Sequence, residues 1–203
     1  GIPGTIDNDI YGTDNTIGYD TALNTVVEVI DKIRDTASSH NRLFFIEVMG
    51  RDAGFIALNA GIGSGAEEIL IPEKNLGLDK FVESLNKGRK NGKSSSIVVV
   101  SEGDKIGKSV FELADHITEN FPDYDIRVSV LGHMQRGGSP SCYDRVLASR
   151  LGVAAVETLL DRQTGVMIGI TNNQISKVEL DKAIKMNNDI NLELLKVAEI
   201  TSI

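Results

Sequence analysis

One cysteine, Cys142, stands in 203 residues, so no disulfide can close within the chain, and such sparing use fits a reducing, cytoplasmic setting. The sequence has no apolar run long enough to span a membrane and no secretory signal at its start, so a membrane partner is not expected. It also lacks a basic excess: 21 Lys and Arg against 29 Asp and Glu give a formal net charge of −8 at pH 7. A nucleic-acid backbone requires a basic face, so nucleic acid is not an expected partner either. Any anionic ligand has to be held by a few local Arg, Lys or His side chains. There is no internal repeat, heptad pattern or low-complexity tract. An initiating methionine is absent too, and the chain opens directly on a motif that would fray at a true terminus. The expectation is a piece of a longer protein.

The remainder is ordinary globular composition, with 41% apolar and 25% charged residues, enough to bury a sizeable core. Helical and strand-like blocks alternate. Ala22, Leu23, Val26, Val27, Ile30 and Ile33 recur at helical spacing, and Leu43 to Met49 is a short, nearly continuous apolar run. Helices are expected over Asp52 to Ala60, Leu78 to Asn86, Val110 to Ile117, Tyr143 to Leu160, Glu179 to Lys185 and Asn191 to Ile200. Strands are expected over Glu68 to Ile71, Ile97 to Val100, Ile126 to Leu131 and Val166 to Thr171, with surface loops at Lys87 to Ser96 and Gly103 to Lys108. This alternation predicts an α/β fold, three layers α/β/α around a largely parallel sheet.

The first ten residues are the richest in chemistry. If Thr5 to Asp9 is extended, Thr5, Asp7 and Asp9 point to one side, offering a proton acceptor beside a second acid that could face a metal. Turn chemistry at Pro3-Gly4 and Asp7-Asn8-Asp9 is the plainer alternative. In parallel sheets ligands gather at the carboxyl ends of strands. Met49-Gly50-Arg51 follows the first full strand, Glu102 follows another, and Gly132-His133-Met134-Gln135-Arg136-Gly137-Gly138-Ser139-Pro140 follows a third. Arg136 can grip a phosphate bidentately and His133 can add a donor. Arg42 and Arg127 precede strands, the wrong end for that site unless a neighbouring subunit brings them in. Gly88 to Ser94 and Gly103 to Ser109 resemble P-loops, each one residue short; only the second follows a strand and opens a helix. Gly61 to Gly65 reads as a turn.

Three blocks, Pro3 to Asp9, Glu47 to Arg51 and Gly132 to Pro140, closely resemble the bacterial 6-phosphofructokinases, as do Ser38 to Arg42 and Tyr143 to Arg150. The resemblance runs from end to end and implies phosphoryl transfer from ATP to the C1 hydroxyl of fructose 6-phosphate, with Mg2+ and release of ADP. It places Asp7 as catalytic base, Thr5 beside it, Asp9 as a supporting carboxylate near the metal, and Arg51 on the transferring phosphoryl group. Met49, Gly50 and Glu102 would contact the sugar, and His133 and Arg136 its phosphate. Arg42 and Arg127 would reach in from an adjacent subunit of a homo-oligomer, a tetramer in the family. Arg34, Gly65, Ala66, Glu67 and Lys93 match an allosteric effector site, although Asn91 stands where the family usually has Lys. Gly4 favours ATP, since the pyrophosphate-using branch typically carries Lys there.

The resemblance also implies a division: 1–18 with 135–185 as the remnant of a nucleotide-binding domain, and 19–134 with 186–203 as the sugar-phosphate domain. The family's ATP and magnesium loops lie upstream of the first motif, so the chain alone is expected to be inactive. Two other readings compete: a P-loop NTPase using Gly103 to Ser109, and a non-catalytic sugar-phosphate-binding module.

Overall fold

The computed structural model describes residues 1–36, 42–74, 76–90, 95–104, 106, 109–122 and 124–201. Its centre is a four-stranded sheet built from β1 (Arg42–Val48), β2 (Glu68–Leu70), β3 (Ser95–Ser101) and β4 (Asp125–Val130) in the order β2-β3-β1-β4. Every pairing in it is parallel. Parallel strands need crossovers, and helices supply them: α1 (Tyr19–Thr36) precedes β1, α2 (Phe55–Gly63) joins β1 to β2, α3 (Leu78–Lys90) leads to β3, and α4 (Val110–Asn120) to β4.

The apolar run of β1 is explained by cover on both faces. Phe44, Ile46 and Val48 pack with α1, α2 and the terminal helix, whereas Leu43 and Phe45 face Phe81 and Leu85 of α3 and Leu113 and Ile117 of α4. Alternation along one strand thus feeds two separate cores, which makes three layers.

A second unit is smaller. After a 3-10 turn over Gly132–Arg136 comes α5 (Cys142–Leu160), then an antiparallel pair, β5 (Val166–Thr171) and β6 (Gln174–Glu179), and α6 (Leu180–Lys185); the terminal helix α7 (Glu193–Thr201) returns to the first core through Leu195 and Ala198. Leu147 and Leu151 of α5 pack on Ile168 and Ile170 of β5 with Ile17 from the first segment. That segment runs along β5: the Ile168 N–H donates to the Gly1 carbonyl at 2.9 Å and the Asp14 N–H to the Ile170 carbonyl at 2.6 Å.

Several sequence expectations shift. The structure adds β6 and the 3-10 turn, which the sequence pattern does not announce. Asn172 and Asn173 both adopt positive φ, 51° and 61°, which closes a two-residue hairpin between the paired Thr171 and Gln174. The expected loop from Lys87 to Ser96 is helical through Lys90 and a strand from Ser95; lysine and arginine are good helix formers. Gly88 to Lys90 is therefore helix, and the remainder of that P-loop-like stretch lies outside the described residues. α2 continues through Gly63, so Gly61 is helical rather than a turn, and a β-carbon there would meet Ile69 Cδ1 at 2.6 Å. Among the described residues no helix is long and apolar enough to cross a membrane.

Candidate active site

The opening motif is a bent loop. Asn8 holds φ at 57°, and its Oδ1 accepts the Thr16 N–H at 2.8 Å while its Nδ2 donates to the Asp14 carbonyl at 3.1 Å. The Thr16 hydroxyl donates to the Thr5 carbonyl at 2.6 Å, so residues 5 to 16 are cross-tied. Asparagine tolerates this left-handed backbone better than most residues. The bend breaks the alternation expected of an extended Thr5 to Asp9. Thr5 and Asp7 line one cavity, of about 440 Å³, and Asp9 lines another, of about 340 Å³, with Ile10, Met167 and Leu180.

The larger cavity is walled by Gly4, Thr5, Ile6, Asp7, Ile17, Arg51 and Arg136. Asp7 is 6% exposed. Burial pushes its carboxyl above the ordinary aspartate range, and the Asp9 charge adds to this. A hydrogen bond from Thr5 and the guanidiniums of Arg51 and Arg136 oppose the shift in part. The Thr5 hydroxyl also accepts the Asp7 N–H at 3.2 Å. The result is a carboxylate of enhanced basicity sharing a cleft with two arginine cations.

Arg51 is set there by an unusual turn at the end of β1. Gly50 has φ of 145° and Arg51 of 54°. A β-carbon on Gly50 would lie 2.3 Å from the Ala53 carbonyl oxygen, so glycine is required. Glu102, just after β3, accepts the Gly50 N–H at 3.2 Å and the Arg51 N–H at 2.7 Å through the same Oε1. Gly103 lets the two loops touch, because a β-carbon there would meet the Arg51 carbonyl oxygen at 2.2 Å. Glu47, also at the end of β1, is pushed above the ordinary glutamate range by burial and then by the Glu102 charge.

The third contribution follows β4. In the 3-10 turn Arg136 reaches the cavity, His133 is exposed, and Gln135, 1% exposed, turns inward. The structure therefore gathers Thr5, Asp7, Arg51 and Arg136 at one cavity, with Met49, Gly50 and Glu102 on the adjoining strand ends. His133 is outside its lining.

Arg42 opens β1 and Arg127 is the third residue of β4, so both stand within strands rather than before them, towards the opposite end of the sheet. Both pair with Asp125, Arg42 Nε at 3.3 Å and Arg127 Nε at 3.0 Å. The effector candidates surround the junction of α2 and β2. Arg34 Nη2 donates to the Ser64 carbonyl and, at 3.3 Å, to that of Gly65, whose φ is 64°. Ala66 is buried, and the Glu67 N–H donates to the Ile97 carbonyl at 2.9 Å. Lys93 and Asn91 lie outside the described residues, as do Ser38 to Asn41 and Lys105, Gly107 and Lys108 of the second P-loop-like stretch. Ser109 of that stretch serves as the N-cap of α4, accepting the Glu112 N–H at 3.2 Å.

Gln135 and Asp144 are buried polar side chains that no sequence motif singles out as such. Asp144 Oδ1 accepts the Gly18 N–H at 2.9 Å, and its Oδ2 accepts the Thr21 N–H at 2.8 Å and the Thr21 hydroxyl. A carboxylate on α5 thereby caps the amino end of α1.

The phosphofructokinase family profile matches residues 1–159. The chain belongs to the phosphofructokinase family. It is 53% identical over all 203 residues to the ATP-dependent 6-phosphofructokinase 2 of Bacteroides thetaiotaomicron, and 54% identical to the ATP-dependent 6-phosphofructokinase of Listeria monocytogenes. In both cases the chain spans 62% of the relative's length. The phosphofructokinase of Saccharomyces cerevisiae superposes with a TM-score of 0.82 at 37% identity, over 90% of this chain and 25% of the yeast chain. The phosphofructokinase match takes in Asp7, Arg51 and Arg136, the three charged groups of the larger cavity.

Proposed function

We propose that the full-length protein to which these residues belong transfers the γ-phosphoryl group of ATP to the C1 hydroxyl of fructose 6-phosphate, giving fructose 1,6-bisphosphate and ADP. The observation that carries the reading is Asp7: a buried carboxylate of raised pKa, in a cleft shared with Arg51 and Arg136. The Asp7 carboxylate takes the proton of the C1 hydroxyl as that oxygen attacks the γ-phosphorus, and the bond from phosphorus to the ADP oxygen breaks. Arg51 stabilises the charge on the transferring group, and fixed charge of this kind is the main contribution a protein makes to phosphoryl transfer. Arg136, with His133, holds the sugar phosphate, and Glu102, Met49 and Gly50 border the sugar.

The names of the similar proteins support ATP as donor, and Gly4 supports it from within the sequence. Magnesium enters with ATP as part of the substrate. Among the described residues no group of three or more His, Cys, Asp or Glu could hold a metal ion. Magnesium usually takes one or two carboxylates together with substrate phosphates and water, so Asp9 stays the proposed supporting carboxylate near it, and no step here passes through the metal.

On the same reading 1–18 with 135–185 belong to a nucleotide-binding domain and 19–134 with 186–203 to a sugar-phosphate domain, in keeping with the separate clusters around Leu151 and around Phe44 and Phe45. Arg42 and Arg127 serve a neighbouring copy in a homo-oligomer, a tetramer, and the enzyme works in the cytoplasm. Arg34, Gly65, Ala66, Glu67 and Lys93 are proposed as its effector site. A coupled assay on the full-length protein tests the central claim. ADP formation dependent on fructose 6-phosphate is expected, with none from the 203-residue chain alone; a full-length protein without that turnover sinks the reading.

A further inference from the structure

Three successive backbone N–H groups, those of Met49, Gly50 and Arg51, are each held by a side chain from another loop. Glu102 takes Gly50 and Arg51, and Gln135 Oε1 accepts the Met49 N–H at 3.1 Å. The other end of the same amide, Gln135 Nε2, donates to the Gly132 carbonyl at 3.0 Å. With Gln135 1% exposed, its carboxamide is a buried bridge whose two ends join the turn after β4 to the turn after β1. Its sequence neighbour Arg136 and the Arg51 two residues beyond Met49 both line the cavity with Asp7.

We infer that Gln135 is a positioning residue: it fixes the distance between the Arg51 turn and the Arg136 turn, and so the spacing of the two guanidiniums that face Asp7. This rests on the kinase reading of the cavity. The chemistry fits a carboxamide. A carboxamide carries an acceptor and a donor on one rigid plane and so satisfies an N–H and a carbonyl at once. The Arg51 turn also has reason to need restraint, since left-handed backbone at a non-glycine residue is intrinsically disfavoured. Removing the acceptor leaves the Met49 N–H without a partner in the interior, an unmade bond that costs far more than a made one contributes.

Two variants of the full-length protein test this, with two readouts. Gln135→Leu removes both bonds; Gln135→Glu keeps the Met49 acceptor and loses the donor to Gly132. Hydrogen exchange at the Met49, Gly50 and Arg51 amides is expected to speed up at least tenfold in Gln135→Leu, while Phe44 to Ile46 in the sheet are unchanged. In kinetics, Gln135→Leu lowers kcat/KM for fructose 6-phosphate about 10- to 100-fold, the range of one unpaired buried donor, with the KM for ATP within twofold. Gln135→Glu, which sets a buried carboxylate against the Gly132 carbonyl, is expected to lose at least as much. Unchanged exchange at those amides overturns the bridge. Accelerated exchange with unchanged kinetics, or with the KM for ATP raised as much as that for fructose 6-phosphate, overturns the positioning role. A wild-type protein inactive towards fructose 6-phosphate would condemn the kinase reading instead, a result visible without either variant.

Discussion

Asp144 of α5 and Thr21 in the first turn of α1 are joined twice, the carboxylate Oδ2 accepting both the backbone N–H, at 2.8 Å, and the side-chain hydroxyl of Thr21. The same carboxylate takes the Gly18 N–H. The two helices belong to different hydrophobic clusters, so this contact is polar mortar between them. Asp144→Ala is expected to lower stability by about 2–4 kcal/mol, the sum of a lost cap and buried donors left unpaired. Asp144→Asn, which keeps one strong acceptor, should lose about half as much. Denaturant midpoints of the full-length protein would check both.

Asp7→Asn removes the proton acceptor but preserves shape. The kcat of the full-length protein is expected to fall about 10²- to 10⁴-fold, the usual contribution of a general base, with little change in KM for fructose 6-phosphate. A fall below threefold in steady-state assays would remove Asp7 from the chemistry.

The pH dependence follows from the same carboxyl. Its folded-state pKa is raised, so the folded protein binds the proton more tightly than the unfolded chain. The stability it contributes is present below the ordinary aspartate value and is lost as pH rises through the raised one. At neutral pH the ionised group is thus a burden on the fold, and Asp7→Asn should stabilise the protein while inactivating it. Activity runs the other way, since the base works only when deprotonated. The acid limb of kcat/KM should lie above the ordinary aspartate range. Asp9→Asn should move it to lower pH by removing a like charge, and Arg51→Gln to higher pH. Rate profiles of the three proteins would show those opposite displacements.

Gly4 lines the cavity, and a β-carbon there meets nothing within 4 Å. Gly4→Lys therefore fits sterically and places an ammonium group at the mouth of the site. The unfolding midpoint should be unchanged, while kcat/KM for ATP drops about tenfold or more, the effect of perturbing one charged contact. Parallel titrations with ATP and pyrophosphate would read the change in donor preference.

Gly103→Ala makes a complementary test at a distance from the reacting groups. Its β-carbon would crowd the Arg51 carbonyl oxygen at 2.2 Å, a backbone atom, so the Arg51 turn or the Gly103 loop has to shift. A larger loss in kcat than in KM for fructose 6-phosphate is expected.

Much of this architecture was legible in the sequence. The run from Leu43 to Met49 announces a strand covered on both sides, and β1 feeds alternate residues into two different cores, ending one residue earlier at Val48. The residues following the β1 and β3 strands marked the site, since a parallel sheet gathers its chain exits at one end. What escaped has physical causes too. β6 carries Ser176 and Lys177 among its few apolar residues, so its periodicity is weak, and the signal lay in the Asn172-Asn173 pair instead. The split of Asp7 from Asp9 depends on the φ of Asn8, a choice of local basin that spacing does not encode. Gln135 and Asp144 resemble any polar residue in a turn or a helix; their burial is decided by distant partners. Arg42 and Arg127 looked misplaced on their own sheet, and they do stand at its far end, sharing Asp125.

The level ends of β1 and β3 act as a measuring rod. Val48 is paired with Ser101, which puts Glu102 opposite the turn it holds. Adding or deleting one residue in β3 would carry that carboxylate about 3.3 Å along the strand and onto the other face of the sheet. Evolution and engineers alike are then free to lengthen the helices and outer loops, while the number of residues in these two strands is not negotiable.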